Sequence, residues 1–213
     1  MPSNQSYVIQ TKHKNLLLRV SKGHFATSHS HINYYIDVTM QKSRLSEAKA
    51  VADELVSYYN SSTIVDTILC LDGTQVIGTC LAEALTEGSF INLNAHKTIY
   101  IVTPEHTSGS QLIFRDSAVP MIEGKHVLIL AASVTTGFTA RGAIEAINYY
   151  GGKIAGISAI FATTDDCMGY PVKSVFDPKD LSDYASYSSH ECPMCKVGKP
   201  VDALVNSFGY SKL

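Results

Sequence analysis

Two short stretches carry the residues best suited to chemistry. The first is His126 to Arg141, HVLILAASVTTGFTAR, an apolar run followed by a hydroxyl-rich turn, a glycine and a helix start. Ser133, Thr135, Thr136 and Thr139 supply hydroxyls, Gly137 permits a tight turn, and the backbone N–H groups around Phe138 open the helix. The first N–H groups of a helix have no partner within it, so they can surround a phosphate. The same residues also suit a plain Ser/Thr cap that needs no ligand. The second stretch is ECPMCKVG, where Cys192 and Cys195 form a Cys-x-x-Cys. That spacing lets two thiolates grip one Zn2+ ion from a knuckle turn. A closed zinc site takes four ligands, and His190, Cys167 or groups from a partner subunit are candidates for the others. A redox pair and two reduced thiols in a packed tail are the competing readings.

The elements that must position these residues follow from hydrophobic spacing. Leu45, Ala48, Val51, Ala52, Leu55, Val56 and Tyr59 recur at helical intervals behind Ser43, with Glu47 in the first turn. Asn60 to Ser62 break that pattern. Ile64 to Leu71 is a mostly apolar run of strand length, Asp72-Gly73-Thr74 is a tight loop, and Gln75 to Glu87 returns to helical spacing. Thr98 to Val102 reads as a strand, and Pro104 to Ser117 as a polar, turn-rich segment that could move over a site. Val127 to Leu130 is a fully apolar strand, Thr139 to Tyr150 a helix stopped by Gly151-Gly152, and Ile154 to Phe161 another buried strand. This alternation predicts an α/β fold with a mostly parallel sheet flanked by helices. Ligands of such sheets gather beyond the carboxyl ends of the strands, so the Asp72 and Ala131 loops are expected on one rim.

Composition narrows the class. With 213 residues, 45% hydrophobic and 17% charged, the chain fits one α/β domain with some elaboration. A formal charge of −2 without a Lys/Arg cluster argues against a nucleic-acid partner. The apolar run Leu16 to Leu18 is too short for a membrane span or a signal-peptide core. Five cysteines, an odd number, point to a reducing, cytoplasmic setting.

The strand, turn and helix of 126–141 resemble the phosphoribosyl-pyrophosphate (PRPP) signature of the type I phosphoribosyltransferases, and the resemblance leans toward the orotate branch. Gly23-His24-Phe25, Ser28, Ser30 and Asn33-Tyr34-Tyr35-Ile36 are similar to that branch's base-side segment, and Cys70-Leu71-Asp72-Gly73-Thr74 stands at its pyrophosphate loop. The likeness covers roughly residues 20–165. It implies the type I phosphoribosyltransferase fold over 1–165, with 166–213 as a C-terminal appendage carrying the Cys-x-x-Cys. It further implies a homodimer, a phosphorylated ribose or nucleotide as ligand, base contacts from Phe25 and Arg141, and pyrophosphate contacts from Asp72, Gly73 and Thr74.

Three departures fall on the residues that would handle PRPP. Ala131 and Ala132 stand where the family has two acidic residues for the ribose hydroxyls. Hydrogen bonds to charged groups are worth roughly 1.5–3 kcal/mol each, so losing two implies about 3–6 kcal/mol, or about a hundred- to ten-thousand-fold. No lysine lies between Lys97 and Lys125, leaving His106 and Arg115 as candidate catalytic cations on the 104–117 segment. Asp72 would repel pyrophosphate unless a Mg2+ ion intervened, although an Asp can also serve only to stabilise a tight turn. The expected protein binds a 5-phosphoribosyl or pyrimidine-nucleotide ligand with transfer weak or lost. Asp165 and Asp166 are the nearby paired acids for an active-enzyme reading. An interaction module built on the knuckle is the third.

Overall fold

The computed structural model describes residues 6–10, 15–59, 63–87, 93–95, 97–109, 111–206 and 209–213. The chain divides into two compact units, residues 41–175 and residues 1–40 with 176–213. This differs from the expected division at 165/166, because the C-terminal segment folds with the N-terminal hairpin. The first unit met along the chain begins with β1 (Ser6–Gln10), β2 (Leu17–Ala26) and β3 (His31–Asp37). The short helix α1 (Thr39–Ser43) spans the boundary between the units, and α2 (Leu45–Val56) follows.

The 41–175 unit continues with β4 (Thr67–Cys70), α3 (Gln75–Thr86), β5 (Tyr100–Val102), β6 (Glu105–His106) and β7 (Leu112–Ile113). It is completed by β8 (His126–Val134), α4 (Phe138–Tyr149), β9 (Lys153–Ala162), β10 (Asp166–Cys167) and β11 (Tyr170–Phe176, whose last residue already counts with the other unit). Its sheet runs β10-β11-β9-β8-β4-β5, and β5, β4, β8 and β9 are parallel. The expected elements all appear, within a few residues of the sequence limits. Strands β4 and β8 are buried along most of their length, as strands covered on both faces must be. The core gathers Leu69, Val102, Val127, Ile129, Ala131, Ala143, Ile144, Ile147 and Ile157 between sheet and α4. The segment 104–117 is more ordered than expected, since β6 and β7 pair as an antiparallel hairpin.

The remaining strands, β12 (Ser186–Tyr187), β13 (Ala203–Asn206) and β14 (Gly209–Lys212), and the short helix α5 (Pro193–Lys196) belong to the other unit. Its sheet runs β12-β3-β2-β13-β14, with β1 also on β2. The residues 60–62, read above as breaking the helical pattern, lie outside the described residues. Among the described residues, no helix is long and apolar enough to cross a membrane.

One close approach sets the distance between α3 and the sheet. A Cβ on Gly78 would sit 2.5 Å from Cys70 Sγ, so only glycine lets the helix lie this near β4. Overpacking of this kind costs about 1–3 kcal/mol. Gly78→Ala is therefore expected to lower the urea midpoint, and adding Cys70→Ala to recover part of the loss. A Gly78→Ala protein as stable as the parent would show that this packing is wrong.

Candidate functional site

The rim of the 41–175 unit is built by strands of unequal length. β4 ends with Cys70 opposite Leu130, whereas β8 runs on beside β9 to the pairs Ser133↔Phe161 and Val134↔Ala162. Ser133 is thus a strand residue, and the turn proper is Thr135 to Gly137. Leu71 N–H donates to Leu130 O (2.8 Å), closing the last backbone rung. The next edge residue of β8, Ala132, has no β4 partner, and its backbone N–H lies near enough to the Asp72 carboxylate to favour that group's charge. Asp72 (φ 55°) and Gly73 (φ 79°) both adopt left-handed backbone, which turns the chain abruptly into α3. Burial pushes the Asp72 carboxyl up, against the Ala132 N–H and the nearby Lys42 and His106, which all favour its charge. Lys42 Nζ donates to Asp72 O at 2.8 Å. Thr74 is fully buried, and its hydroxyl donates toward Leu71 O (2.8 Å) and Leu130 O (3.0 Å), so it stitches strands and is not open to ligand.

The turn after β8 does not behave as a simple cap. Gly137 (φ 72°, ψ 2°) is the N-cap of α4, and no side chain caps the helix start. The hydroxyl side chains of Thr136 and Thr139 lie on the exposed surface, as do Ser133 and Phe138. Thr135 is half-buried, and its carbonyl accepts from Thr163 Oγ1 (3.0 Å), which anchors the turn to the end of β9. Arg141 is exposed one turn into α4, and its N–H donates to Gly137 O at 2.8 Å. Ala131 and Ala132 are buried, 1% and 7% exposed, and Ala131 belongs to the apolar core. The Thr-rich turn is thus preceded by two buried alanines and no acid.

Other expected residues are placed differently. Arg115 is exposed and makes a two-pronged ion pair with Glu105 (2.9 and 2.5 Å), bridging the β6–β7 hairpin. His106 is exposed on β6, near enough to favour the charged form of Asp72. Asp166 uses a carboxylate oxygen to accept Gly169 N–H (3.0 Å) in the β10–β11 turn. Phe25 is fully buried, packed against Tyr35 and Tyr210, and serves the core in this conformation. Lys42 was not anticipated, and no local motif marks it.

The Cys-x-x-Cys meets partners that the sequence reading missed. Within the 1–40/176–213 unit, His24, His31, Cys192 and Cys195 bring four ligand atoms within 4.8 Å of one another. Neither His190 nor Cys167 is among them; the Cys167 thiol instead faces Gly137 O (3.8 Å). The signal available was a pair of histidines flanking the β2–β3 turn.

The parallel sheet, the Thr-rich turn ending β8 and the loop after β4 define a type I phosphoribosyltransferase fold. The chain is similar to orotate phosphoribosyltransferases: 26% identical over 182 residues to that of Chlorobaculum parvum, covering 85% of this chain and 86% of the relative. It is 28% identical over 190 residues to that of Chlorobium phaeobacteroides, with the same shares covered. The fold matches Leishmania donovani UMP synthase (TM-score 0.55, 18% identity, 76% of this chain and 34% of that one). It also matches the Mycobacterium tuberculosis orotate phosphoribosyltransferase solved with Fe(III) dicitrate (TM-score 0.53, 16% identity, 77% and 92%). No protein-family model matches the chain.

Asp72 gives a pH test of the rim. Its folded-state pKa is raised, so the folded protein holds this proton more tightly than the unfolded chain does. The group therefore costs stability above its folded pKa, and the cost fades as pH falls toward the unfolded value of about 3.9. Asn is close to Asp in size and tolerates the left-handed backbone at this position. Asp72→Asn is expected to raise the urea midpoint at pH 7, with a gain that shrinks toward pH 4. A gain that instead grows on acidification would contradict the assigned burial.

Proposed function

We propose that the chain binds a phosphorylated ribose or pyrimidine nucleotide at the β8–α4 turn and transfers the phosphoribosyl group weakly or not at all. The observation that carries this reading is the contrast between the turn's two ends. Beyond Val134 the helix start is uncapped by any side chain and lined by Thr135, Thr136 and Thr139, an arrangement suited to an anion. Before it, Ala131 and Ala132 present only methyl groups where the ribose hydroxyls would need carboxylates. Arg141, exposed on the same helix, is suited to a second anionic group such as an orotate carboxylate. A Mg2+ ion would relieve the repulsion between Asp72 and a pyrophosphate. The relatives named orotate phosphoribosyltransferase support the pyrimidine assignment.

One observation favours a second reading, an active PRPP-dependent transferase. Asp72 brings a carboxylate to the Ala132 backbone, so the end of β8 is not devoid of negative charge. In that case Asp72 takes over part of the missing acids' task, and Asp165 and Asp166 do not.

Calorimetric titration with PRPP and with orotidine 5′-monophosphate, followed by an assay of orotate consumption with Mg2+, separates the two. The first reading expects binding without turnover, and Asp72→Asn then tightens PRPP binding by removing a like charge. Robust turnover abolished by Asp72→Asn would establish the second. In either case Gly137→Ala, which strains a left-handed position by about 1–2 kcal/mol, is expected to weaken nucleotide binding about tenfold or more. Unchanged affinity in that variant would remove the turn from the site.

A further inference from the structure

We infer that His24, His31, Cys192 and Cys195 form a closed, tetrahedral zinc site that clamps the C-terminal knuckle to the β2–β3 hairpin. The inference is independent of the phosphate turn, since all four residues lie in the 1–40/176–213 unit.

The distances fit one ion. His24 Nε2 stands 2.9 Å from His31 Nδ1 and 3.6 Å from both Cys192 Sγ and Cys195 Sγ, and Cys195 Sγ is 3.2 Å from His31 Nδ1. Zinc bonds of about 2.0–2.1 Å to nitrogen and about 2.3 Å to sulfur give tetrahedral edges of about 3.3–3.8 Å. These four separations lie within a few tenths of an ångström of that range, and the other two are no longer than 4.8 Å, so side-chain shifts of about an ångström or less complete the tetrahedron.

The surroundings set the ligands' protonation. His24 Nδ1 lies 2.9 Å from Lys199 O and 3.1 Å from Pro200 O. Carbonyl oxygens only accept, so Nδ1 carries the proton and Nε2 presents its lone pair to His31 and the two sulfurs. Burial and the neighbouring His24 hold His31 in its neutral form, also the ligating one.

The backbone is shaped for the same purpose. Between Lys22↔Tyr34 and Phe25↔Ile32 the register slips, leaving Gly23 and His24 as a bulge that re-aims the His24 ring. The bulge N–H of His24 donates to Asp202 Oδ2 at 2.7 Å. A Cβ on Gly23 would come within 2.8 Å of that oxygen. The Thr27–Ser30 turn, closed by Thr27 N–H on Ser30 O (2.8 Å), brings His31 back opposite Ala26. On the other side Cys192 begins α5 with Pro193 behind it, and Gly198 N–H returns to Cys195 O (2.9 Å). Two nitrogens and two thiolates in a tetrahedron suit Zn2+, and four protein ligands leave no open position for catalysis.

The test is elemental analysis of the purified full-length chain together with the visible spectrum of the Co2+-substituted protein. The expected result is about one zinc per chain, and a tetrahedral cobalt spectrum with thiolate charge-transfer bands. Cys195→Ser, at the exposed ligand, should cut zinc content at least tenfold, while His190→Ala and Cys167→Ser should leave it unchanged. Wild-type protein that is metal-free as purified and gives no such cobalt spectrum overturns the proposal, as does loss of zinc in His190→Ala or Cys167→Ser. The cobalt spectrum of the wild type decides the matter even if Cys195→Ser fails to fold.

Discussion

The candidate site depends on a mismatch in the parallel ladder: β8 continues past the point where β4 ends. With Cys70 opposite Leu130, the strand edge beyond Leu130 loses its neighbour while β9 still supports the other side. A buried N–H left unpaired costs about 1–3 kcal/mol, and Ala132 N–H would be such a group. The Asp72 carboxylate lies near it, where its charge is favoured by that N–H. Two consecutive left-handed residues bring it there, and the Thr74 hydroxyl fixes the loop to both strand ends.

The alanine pair is equally a matter of packing. Ala131 pairs with Ala159 and lies among apolar core residues, so an acid at that position would enter a hydrophobic cluster. A carboxylate there would be driven toward its neutral form, which cannot balance an oxocarbenium-like charge. Ala132 points to the opposite face of the strand and is slightly more exposed, which makes it the more permissive of the two. The absence of acids at 131 and 132 is therefore a matter of core packing as well as of two side chains.

The legibility of the chain in its sequence follows the range of its interactions. Helices α2, α3 and α4 and strands β4, β8 and β9 were visible because periodicity and buried apolar runs are local signals. The length of β8 was underestimated because Ala131-Ala132-Ser133 reads as the start of a loop, whereas pairing with β9 carries the strand to Val134. The β6–β7 hairpin was read as an open loop because strands of two residues carry no periodicity. The division of the chain was misplaced because β13 joins β2 at Ala203↔Phe25 and Leu204↔Ala26, a pairing between the two ends of the sequence. His24 and His31 escaped notice as ligands for the same reason, since Cys192 lies 168 residues from His24.

In the 1–40/176–213 unit, Phe25, Ile32, Tyr35 and Ala203 form one buried apolar cluster, with Tyr184 and Val205 against it. Leu16, Leu18, Val20, Phe176 and Leu181 are buried there as well. The β13–β14 hairpin is a two-stranded unit of the kind that is marginal alone, and β13 meets β2 through only two register pairs. A structural zinc contributes about 10–16 kcal/mol in small domains, far more than such an edge can supply. The bulge that places His24 beside the Cys192 and Cys195 thiols also sets Phe25, the next residue, into the aromatic cluster with Tyr35 and Tyr210. The His/Cys cluster and core packing thus draw on adjacent residues of one strand, which leaves Phe25 inside the core, whereas Thr136, Thr139 and Arg141 stay exposed at the start of α4.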